Sequence, residues 1–271
     1  MRATRFFYVW PLVIALIWTA SAATANEQVV EIASRGQKIR SLLLKPQNPV
    51  GSVILLAGGH GNLNISASGA IGWGKNNQVV RTRAAYAAAG YVTLVPDIAP
   101  DMKRGDKVVP KYRWSQQHAR DIGAAIAYMR TLAKPVYLVA TSRGALSAFN
   151  AVTREKGDKL PDAIAVTSGM LMDFGGKQPS VQRNVDGIGA LKLPVYLVYH
   201  QNDGCDYTPS SSAAKFKPLL KSAPRVDIEI LKGGSAGSGD PCQANSPHGF
   251  IGMDDVVVKT VTGWLKLMAK P

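Results

Sequence analysis

Four short apolar runs constrain the fold of this chain more than any other feature of its sequence. They lie at residues 52–57, 91–95, 135–140 and 194–199. Runs without alternating polar residues suit strands that are buried on both faces, as in a parallel sheet. Segments with the periodicity of amphipathic helices lie at residues 78–89, 115–133 and 254–269. The alternation predicts an α/β domain with a mostly parallel central sheet and helices on both faces.

Shorter signals complete this prediction. Residues 29–32 and 39–44 flank a turn and predict an antiparallel hairpin that opens the domain. Further strands are expected at residues 163–166 and 226–231. Pro218 should kink or break the helix that is expected to start near Ser210. His118 lies in the helix predicted at residues 115–133, on a face dominated by polar residues, and is expected at the surface.

Residues 1–25 have the pattern of a secretory signal peptide. Two arginines give a positive start, residues 6–18 are uncharged and almost wholly apolar, and an A-x-A cleavage signature follows at residues 23–25. The apolar run is short for a membrane span, which needs about 20 residues. We therefore expect cleavage, export to the periplasm or the medium, and one mature domain at residues 26–271. An uncleaved N-terminal anchor is the alternative.

The chain is strongly basic. Its formal net charge of +14 becomes +12 once the two arginines of residues 1–25 are removed. The lysines and arginines are scattered and no nucleic-acid-binding motif accompanies them, so no specific nucleic-acid partner is expected. Net charge of one sign governs solubility and steering rather than function. A solvated basic surface is the simpler interpretation, and attraction to an anionic envelope surface is the alternative.

A serine lies where one buried run turns sharply into a helix. Residues 135–140 lead into Thr141, Ser142, Arg143 and Gly144, after which a helix begins. This arrangement resembles the nucleophile elbow, G-x-S-x-G, of the serine α/β-hydrolase superfamily, with an alanine in place of the first glycine. Such a turn lifts the hydroxyl of Ser142 above the sheet, and the N–H of Arg143 is expected to donate to an oxyanion. A plain helix N-cap is the competing interpretation of Ser142.

The resemblance covers residues 30–270 and implies an α/β-hydrolase fold with no large cap domain. Residues 169–193 are too few for such a cap, and the loop at residues 62–77, with Trp73, is expected to form a small lid instead. The compact size is closest to the dienelactone-hydrolase-like and small esterase branches. Dienelactone hydrolases use a cysteine nucleophile, whereas this chain has Ser142, so their substrate is not expected to carry over.

The resemblance also implies a catalytic acid and a histidine, in the chain order Ser, Asp, His. His248 follows the last predicted strand, and Asp203 follows the run at residues 194–199. These two complete the predicted triad, with His248 as the base of Ser142 and Asp203 as the group that orients His248. The reserve candidates for the acid are Asp206 and Asp173. An ordinary Asp-Gly turn and a surface histidine are the competing interpretations.

A glycine-rich loop follows the first buried run, at residues 57–61. In α/β-hydrolases a loop at this point supplies the second oxyanion donor, which we expect to be the N–H of Gly59 or of His60. A phosphate-binding loop is the alternative, but the Gly-Lys-Ser/Thr of such loops is missing. His60, His200 and His248 follow no metal-ligand pattern, so neither a metal nor a cofactor is expected.

The two cysteines flank the predicted acid and base. Cys205 lies two residues after Asp203, and Cys242 lies six residues before His248. Export would place them where disulfides persist. A disulfide between them is therefore predicted, and it should preorganise the acid and histidine loops. Two buried, unpaired thiols are the alternative.

These features predict an exported serine hydrolase that cleaves the ester-type acyl bond of a small molecule through an acyl-enzyme. Carboxylic esters are the preferred substrate class, with thioesters and amides left open. Two other functions fit the same residues. One is acyl transfer to an envelope alcohol, and the other is non-catalytic binding of an anionic polymer on a hydrolase scaffold.

Overall fold

The computed structural model of the protein describes residues 26–175 and 177–269, so the predicted leader at residues 1–25 lies outside the described residues. Its strands are β1 (Glu27–Ser34), β2 (Gln37–Leu44), β3 (Gly51–Leu56), β4 (Tyr91–Pro96), β5 (Lys103–Arg104), β6 (Lys107–Val108), β7 (Val136–Thr141), β8 (Ala163–Thr167), β9 (Val195–His200) and β10 (Val226–Leu231). Within the described residues, eight strands form one sheet in the order β1-β2-β4-β3-β7-β8-β9-β10, and β5 pairs with β6.

The sheet is mostly parallel, as the sequence predicts. Strand β2 pairs antiparallel with β1 and with β4, and the pairs from β4 through to β10 are parallel. Every residue of β3, β7 and β8 is buried. Both faces of these strands are covered, which explains their unbroken apolar sequences. The carboxyl ends of the parallel strands meet at one edge, where open α/β sheets bind ligands.

Helices cover the two faces of the sheet. They are α1 (Gln78–Arg81), α2 (Arg83–Ala88), α3 (Gln116–Leu132), α4 (Gly144–Arg154), α5 (Val181–Asn184), α6 (Ser211–Phe216) and α7 (Asp254–Met268). Side chains of α3, α4, α5 and α6 pack with Ile54 and Leu56 on one face, whereas those of α1, α2 and α7 pack with Val53 and Leu55 on the other. The alternation of β3 between two cores follows from the two-residue period of a strand.

One predicted helix is divided in two. The sequence predicts a single helix at residues 78–89, but Thr82 separates α1 from α2. The Thr82 hydroxyl donates to the carbonyl oxygen of Gln78 at 2.8 Å, where it adds to the bond from its own N–H at 3.2 Å. A threonine that bonds back to this carbonyl bends a helix. The predicted break at Pro218 is confirmed, because α6 ends at Phe216 and Pro218 lies in a following 3₁₀ turn.

The expectation that His118 lies at the surface is wrong. The imidazole is buried between α3 and α4, and its Nε2 lies 2.9 Å from Oγ of Ser147. The polar face of α3 is covered because α4 presents a serine there as a hydrogen-bonding partner. Periodicity alone cannot distinguish such a buried polar face from a solvated one.

No large cap domain interrupts the described residues. Between β8 and β9 the chain forms only α5 and a short 3₁₀ turn, Ile188–Ala190. In the loop at residues 62–77, Ile65 and Ile71 form an isolated bridge, and the Trp73 ring stacks on the imidazole of His60. Across residues 26–175 and 177–269, no helix has the length and apolar character that crossing a membrane requires.

Candidate active site

Ser142 occupies a tight turn at the carboxyl end of β7. Its φ is 53°, a left-handed conformation that few residues other than glycine adopt. Its N–H donates to the carbonyl oxygen of Thr167 at 3.0 Å, and its carbonyl oxygen accepts from the N–H of Met170 at 3.2 Å. A Cβ at Gly144 would lie 2.3 Å from the carbonyl oxygen of Leu56, so only glycine allows α4 to pack this closely on β3. The elbow predicted from the sequence is therefore present, with its backbone fixed on two sides.

The glycine-rich loop after β3 lies beside Ser142. A Cβ on Gly58 would come within 3.0 Å of the Ser142 Cβ, so the loop approaches the serine as closely as a glycine allows. Within the described residues, the N–H groups of Gly59, His60 and Arg143 donate no hydrogen bond to the protein. The donors expected from the sequence thus lie on the two segments that flank Ser142.

Asp203 and His248 are hydrogen-bonded to each other. Oδ2 of Asp203 lies 3.0 Å from Nδ1 of His248, and both side chains are almost fully buried. Oδ1 of Asp203 accepts the N–H of Cys205 at 3.0 Å. The carboxylate lies against Nδ1, which requires a proton on that nitrogen and leaves the Nε2 lone pair of a neutral imidazole for another partner.

Thr208 joins this pair and was missed by sequence reasoning. Its hydroxyl donates to Oδ2 of Asp203 at 3.0 Å and lies 2.9 Å from Nδ1 of His248. With the N–H of Cys205 and Nδ1 of His248, it gives the Asp203 carboxylate three hydrogen-bonding partners. A threonine five residues after the acid follows no motif, so no local signal could have identified it.

The reserve acids do not form this contact. Asp173 forms an ion pair with Arg183, whose guanidinium also donates to it, and this lowers the pKa of Asp173. Asp206 is exposed. Of the three candidate acids, Asp203 is the one that the structure brings to His248.

The structure does not join all three predicted triad members. Ser142 follows β7 and Asp203 follows β9, with β8 between them, so the serine and the Asp203–His248 pair belong to the same carboxyl edge of the sheet. Among the described residues, no hydrogen bond links Oγ of Ser142 to Nε2 of His248. Catalytic hydrogen bonds of this kind are often formed only in the substrate complex.

The predicted disulfide is confirmed. Cys205 and Cys242 form a disulfide that connects the loop after β9 to the segment before His248, across a sequence separation of 37. The covalent link therefore joins the loop that carries Asp203 to the loop that carries His248. Disulfides of this kind are typical of oxidising compartments.

Arg81 binds the main chain of the loop that carries His248. Its guanidinium donates to the carbonyl oxygens of Ala244 at 3.0 Å and Gly249 at 2.6 Å, which bracket His248. The same group pairs with Asp254 at the start of α7, at 2.7 Å. Its partners lie more than 160 residues away in sequence, at separations of 163, 168 and 173. No local pattern could have revealed this role.

His60 lies at the entrance to the glycine-rich loop. Its Nδ1 accepts the N–H of Asn62 at 3.1 Å, and its ring centroid lies 3.6 Å from that of Trp73. Partial burial, followed by the charges of Arg113 and Arg143, lowers the pKa of His60. A neutral imidazole is therefore expected beside the candidate oxyanion site. In the described part of the chain, no group of three or more His, Cys, Asp or Glu side chains is arranged to hold a metal ion.

The sheet order and the elbow define the fold class: the chain has the α/β-hydrolase fold. Solved structures show the same fold. One is an α/β hydrolase from a Medee basin deep-sea metagenome, at 15% identity and a TM-score of 0.61, covering 91% of this chain and 98% of its own. Another is a dienelactone hydrolase from Anabaena variabilis, at 14% identity and 0.59, covering 90% and 98%.

A third similar structure is a cold-adapted esterase from an Arctic intertidal metagenomic library. It is 11% identical with a TM-score of 0.53, and the match covers 91% of this chain and 99% of that one. No protein-family model matches the sequence, and no curated protein matches it significantly. At these identities the likeness establishes the fold, and the activity must be argued from the residues.

Proposed function

We propose that the protein is an exported serine hydrolase that cleaves an ester-type acyl bond, with Ser142 as nucleophile, His248 as general base and Asp203 as the residue that orients His248. One observation carries the proposal: a buried carboxylate–imidazole pair lies at the sheet edge where an elbow presents a serine in a left-handed turn. A serine hydroxyl needs a neighbouring base to become nucleophilic, and a buried Asp203 keeps Nε2 of His248 as the acceptor.

The reaction proceeds in two steps, acylation of Ser142 and hydrolysis of the acyl-enzyme. Nε2 of His248 takes the hydroxyl proton of Ser142 as Oγ bonds to the acyl carbon, and the carbonyl oxygen becomes an oxyanion. The oxyanion collapses, the bond to the alcohol oxygen breaks, and His248 returns the proton to that oxygen. Water then attacks the acyl-enzyme by the same route and releases the acid. For these proton transfers, Oγ of Ser142 and Nε2 of His248 must approach to about 3 Å.

Backbone donors are proposed to stabilise the oxyanion. The N–H of Arg143 lies just before α4, where the helix dipole is positive, and the N–H groups of Gly59 and His60 belong to the loop whose Gly58 approaches Ser142. Since these groups have no other acceptor in the described residues, they are free to bind developing charge. Removing one such donor typically slows an enzyme by about 10²–10³-fold.

Export is part of the proposal. Its support is the predicted leader at residues 1–25 together with the Cys205–Cys242 disulfide, which fits an oxidising compartment. N-terminal sequencing of the secreted or periplasmic protein tests this point. A first residue near 26 is expected, and retention of the full leader in a membrane fraction would contradict it.

Ester hydrolysis by the mature chain tests the activity. Wild type should turn over p-nitrophenyl acetate and be labelled by a fluorophosphonate probe, with the label mapped to Ser142. The Ser142→Ala variant should lose both properties, whereas Ser222→Ala, at an exposed serine, should retain them. Equal turnover by wild type and Ser142→Ala would refute the proposal. Product analysis with an added alcohol acceptor distinguishes hydrolysis from acyl transfer, because the transferase would form a new ester.

A further inference from the structure

A buried arginine donates hydrogen bonds to the main chain of the glycine-rich loop at residues 57–61. Arg113 lies in the 3₁₀ turn that precedes α3, and it is 5% exposed. Its Nη2 donates to three successive carbonyl oxygens, those of Ala57 at 2.9 Å, Gly58 at 3.0 Å and Gly59 at 3.0 Å. Three successive main-chain carbonyls thus share one guanidinium nitrogen as their donor.

Arg113 is a buried cation without a carboxylate partner. No ion pair within residues 26–175 and 177–269 includes it, although burial lowers the pKa of its guanidinium. Arginine nevertheless remains protonated in proteins, because its reference pKa is so high. A buried and unneutralised charge is costly to maintain. Such a group calls for a functional explanation. Within the described residues, its guanidinium donates to the three loop carbonyls and to the hydroxyl of Ser147.

The loop carbonyls belong to the same peptide groups as the candidate oxyanion donors. The carbonyl of Gly58 and the N–H of Gly59 form one planar group, and the carbonyl of Gly59 and the N–H of His60 form the next. In a trans peptide the C=O and the N–H point in opposite directions. By holding the carbonyls, Arg113 therefore directs the two N–H groups to the opposite side of the loop.

A charge-assisted hydrogen bond to a carbonyl also polarises its amide. Successive hydrogen bonds strengthen one another in a low-dielectric interior, so the N–H of such a peptide becomes a better donor. In this arrangement the guanidinium acts on the loop through its carbonyl oxygens and needs no contact with the substrate. Its positive charge acts on the oxyanion through the polarised peptide groups of Gly58–Gly59 and Gly59–His60.

We propose that Arg113 is a positioning residue of the oxyanion hole, which orients and polarises the peptide groups whose N–H donors are those of Gly59 and His60. The inference rests on the proposed serine hydrolase activity and deepens it. The inference applies to both candidate donors, because Arg113 hydrogen-bonds to the carbonyl oxygens of both peptide groups.

Neighbouring residues fix the direction of the guanidinium. Nη1 of Arg113 donates to Oγ of Ser147 at 2.7 Å, and that oxygen lies 2.9 Å from Nε2 of His118. Burial, followed by the charge of Arg113, lowers the pKa of His118 to about 3. The imidazole is therefore neutral, and its Nε2 can accept a hydrogen bond from the hydroxyl of Ser147. Tyr112 adds a further tie, since its hydroxyl donates to the carbonyl oxygen of His60 at 2.5 Å.

Steady-state kinetics of Arg113→Lys tests the inference. The matched control is Arg130→Lys, since Arg130 also donates to main-chain carbonyls, those of Asp158 and Leu160, away from the site. With p-nitrophenyl acetate, we expect Arg113→Lys to lower kcat by about 10–100-fold and to change KM by less than about threefold, because the oxyanion forms only in the transition state. Arg130→Lys should retain the wild-type kcat.

Active-site titration separates a positioning role from a structural one. Burst titration counts functional sites, so kcat per titrated site is unaffected by a misfolded fraction. Affinity for an aryl boronic acid, which forms a tetrahedral adduct with the serine, should weaken by a factor similar to the loss in kcat. Ser147→Ala is a milder second variant, which withdraws one partner of the guanidinium, and it should lower kcat per site by about 3–10-fold.

The outcomes distinguish the two proposals. If wild type neither hydrolyses esters nor reacts with the fluorophosphonate probe, the proposed function fails. If wild type is active but Arg113→Lys and Ser147→Ala keep the wild-type kcat per titrated site and boronic acid affinity, the role of Arg113 is refuted. A raised KM with an unchanged kcat also refutes it, because that pattern reports binding of the ground state.

Discussion

The two sides of the candidate active site are held in place by different means. Ser142 and the loop at residues 57–61 are fixed by main-chain geometry, namely a left-handed turn, two glycines under close contact and carbonyls bound by a buried arginine. Asp203 and His248 lie beyond the strand ends and are held by side chains and a covalent bond. The serine side is therefore part of the core, whereas the acid–base side is assembled from loops.

This difference determines whether a substitution on each side mainly affects folding or catalysis. On the serine side an added methyl group is expected to harm folding before it harms chemistry, because backbone atoms cannot move aside in a packed core. On the acid–base side a change of one polar atom is expected to harm catalysis first, because the loops remain attached by other links. We expect substitutions on the two sides to differ accordingly in their effects on kcat and on the free energy of unfolding.

Asp203→Asn should have the largest effect. The amide cannot serve as a charged acceptor, so His248 adopts the wrong tautomer, and kcat should fall by about 10⁴-fold, the scale known for this change in serine hydrolase triads. The free energy of unfolding should change far less than the activation free energy. The control is Asp206→Asn, at the exposed neighbour, which should retain activity. A severe loss in Asp206→Asn with an active Asp203→Asn would reverse the assignment of the acid.

Removal of the disulfide should come next. The double variant Cys205→Ala, Cys242→Ala opens a loop of sequence separation 37, and the chain-entropy model predicts a loss of about 4 kcal/mol in the free energy of unfolding. Chemical denaturation measures it. The kcat should fall by much less than in Asp203→Asn, because Thr208 and Arg81 still hold the two loops. An unfolding free energy equal to that of wild type would contradict a structural role for the bond.

Gly144→Ala tests the serine side. Its Cβ would lie 2.3 Å from the carbonyl oxygen of Leu56, so we expect a loss of about 3 kcal/mol in the free energy of unfolding. The matched control is Gly263→Ala in α7, where nothing lies within 4 Å of an added Cβ and where alanine should stabilise by about 0.5–1 kcal/mol. A tolerated Gly144→Ala would mean that the elbow is less tightly packed than the structure indicates.

His118 should make the stability of the protein depend on pH. Its pKa is about 3 in the folded protein and about 6.5 when unfolded, so between these values the unfolded chain binds a proton that the folded chain does not. The stability is thus fully present above about pH 6.5 and is lost as the pH falls towards 3, by up to about 1.4 kcal/mol per pH unit. His118→Gln should show a shallower slope in denaturation curves across this range. Identical slopes would exclude His118 as the cause.

The sequence predicts the parts of the fold that depend on local patterns. The buried runs identify β3, β4, β7 and β9, because strands covered on both faces have no polar alternation. The elbow at Ser142 is recognisable because its turn requires small residues at fixed positions. Asp203, the hydrogen-bonding partner of His248, follows β9, where the resemblance predicts an acid.

The remaining parts of the site depend on contacts between distant segments. Thr208, Arg81 and Arg113 each act through loops that pack together only in the folded chain, so no periodicity or motif marks them. His118 was expected at the surface because a polar helix face does not reveal that Ser147 covers it. Likewise, the split of the helix at Thr82 depends on one hydroxyl that bonds to a nearby carbonyl.

The bond between Cys205 and Cys242 has a consequence for the timing of maturation. It joins the segments that carry Asp203 and His248, and under the proposed export it would persist only after the chain has left the reducing cytoplasm. We therefore expect the newly made polypeptide to unfold more readily while its thiols are reduced and to gain resistance to unfolding on oxidation. Under the proposed function, the hydrolase would thus reach its full stability only outside the compartment in which it is made.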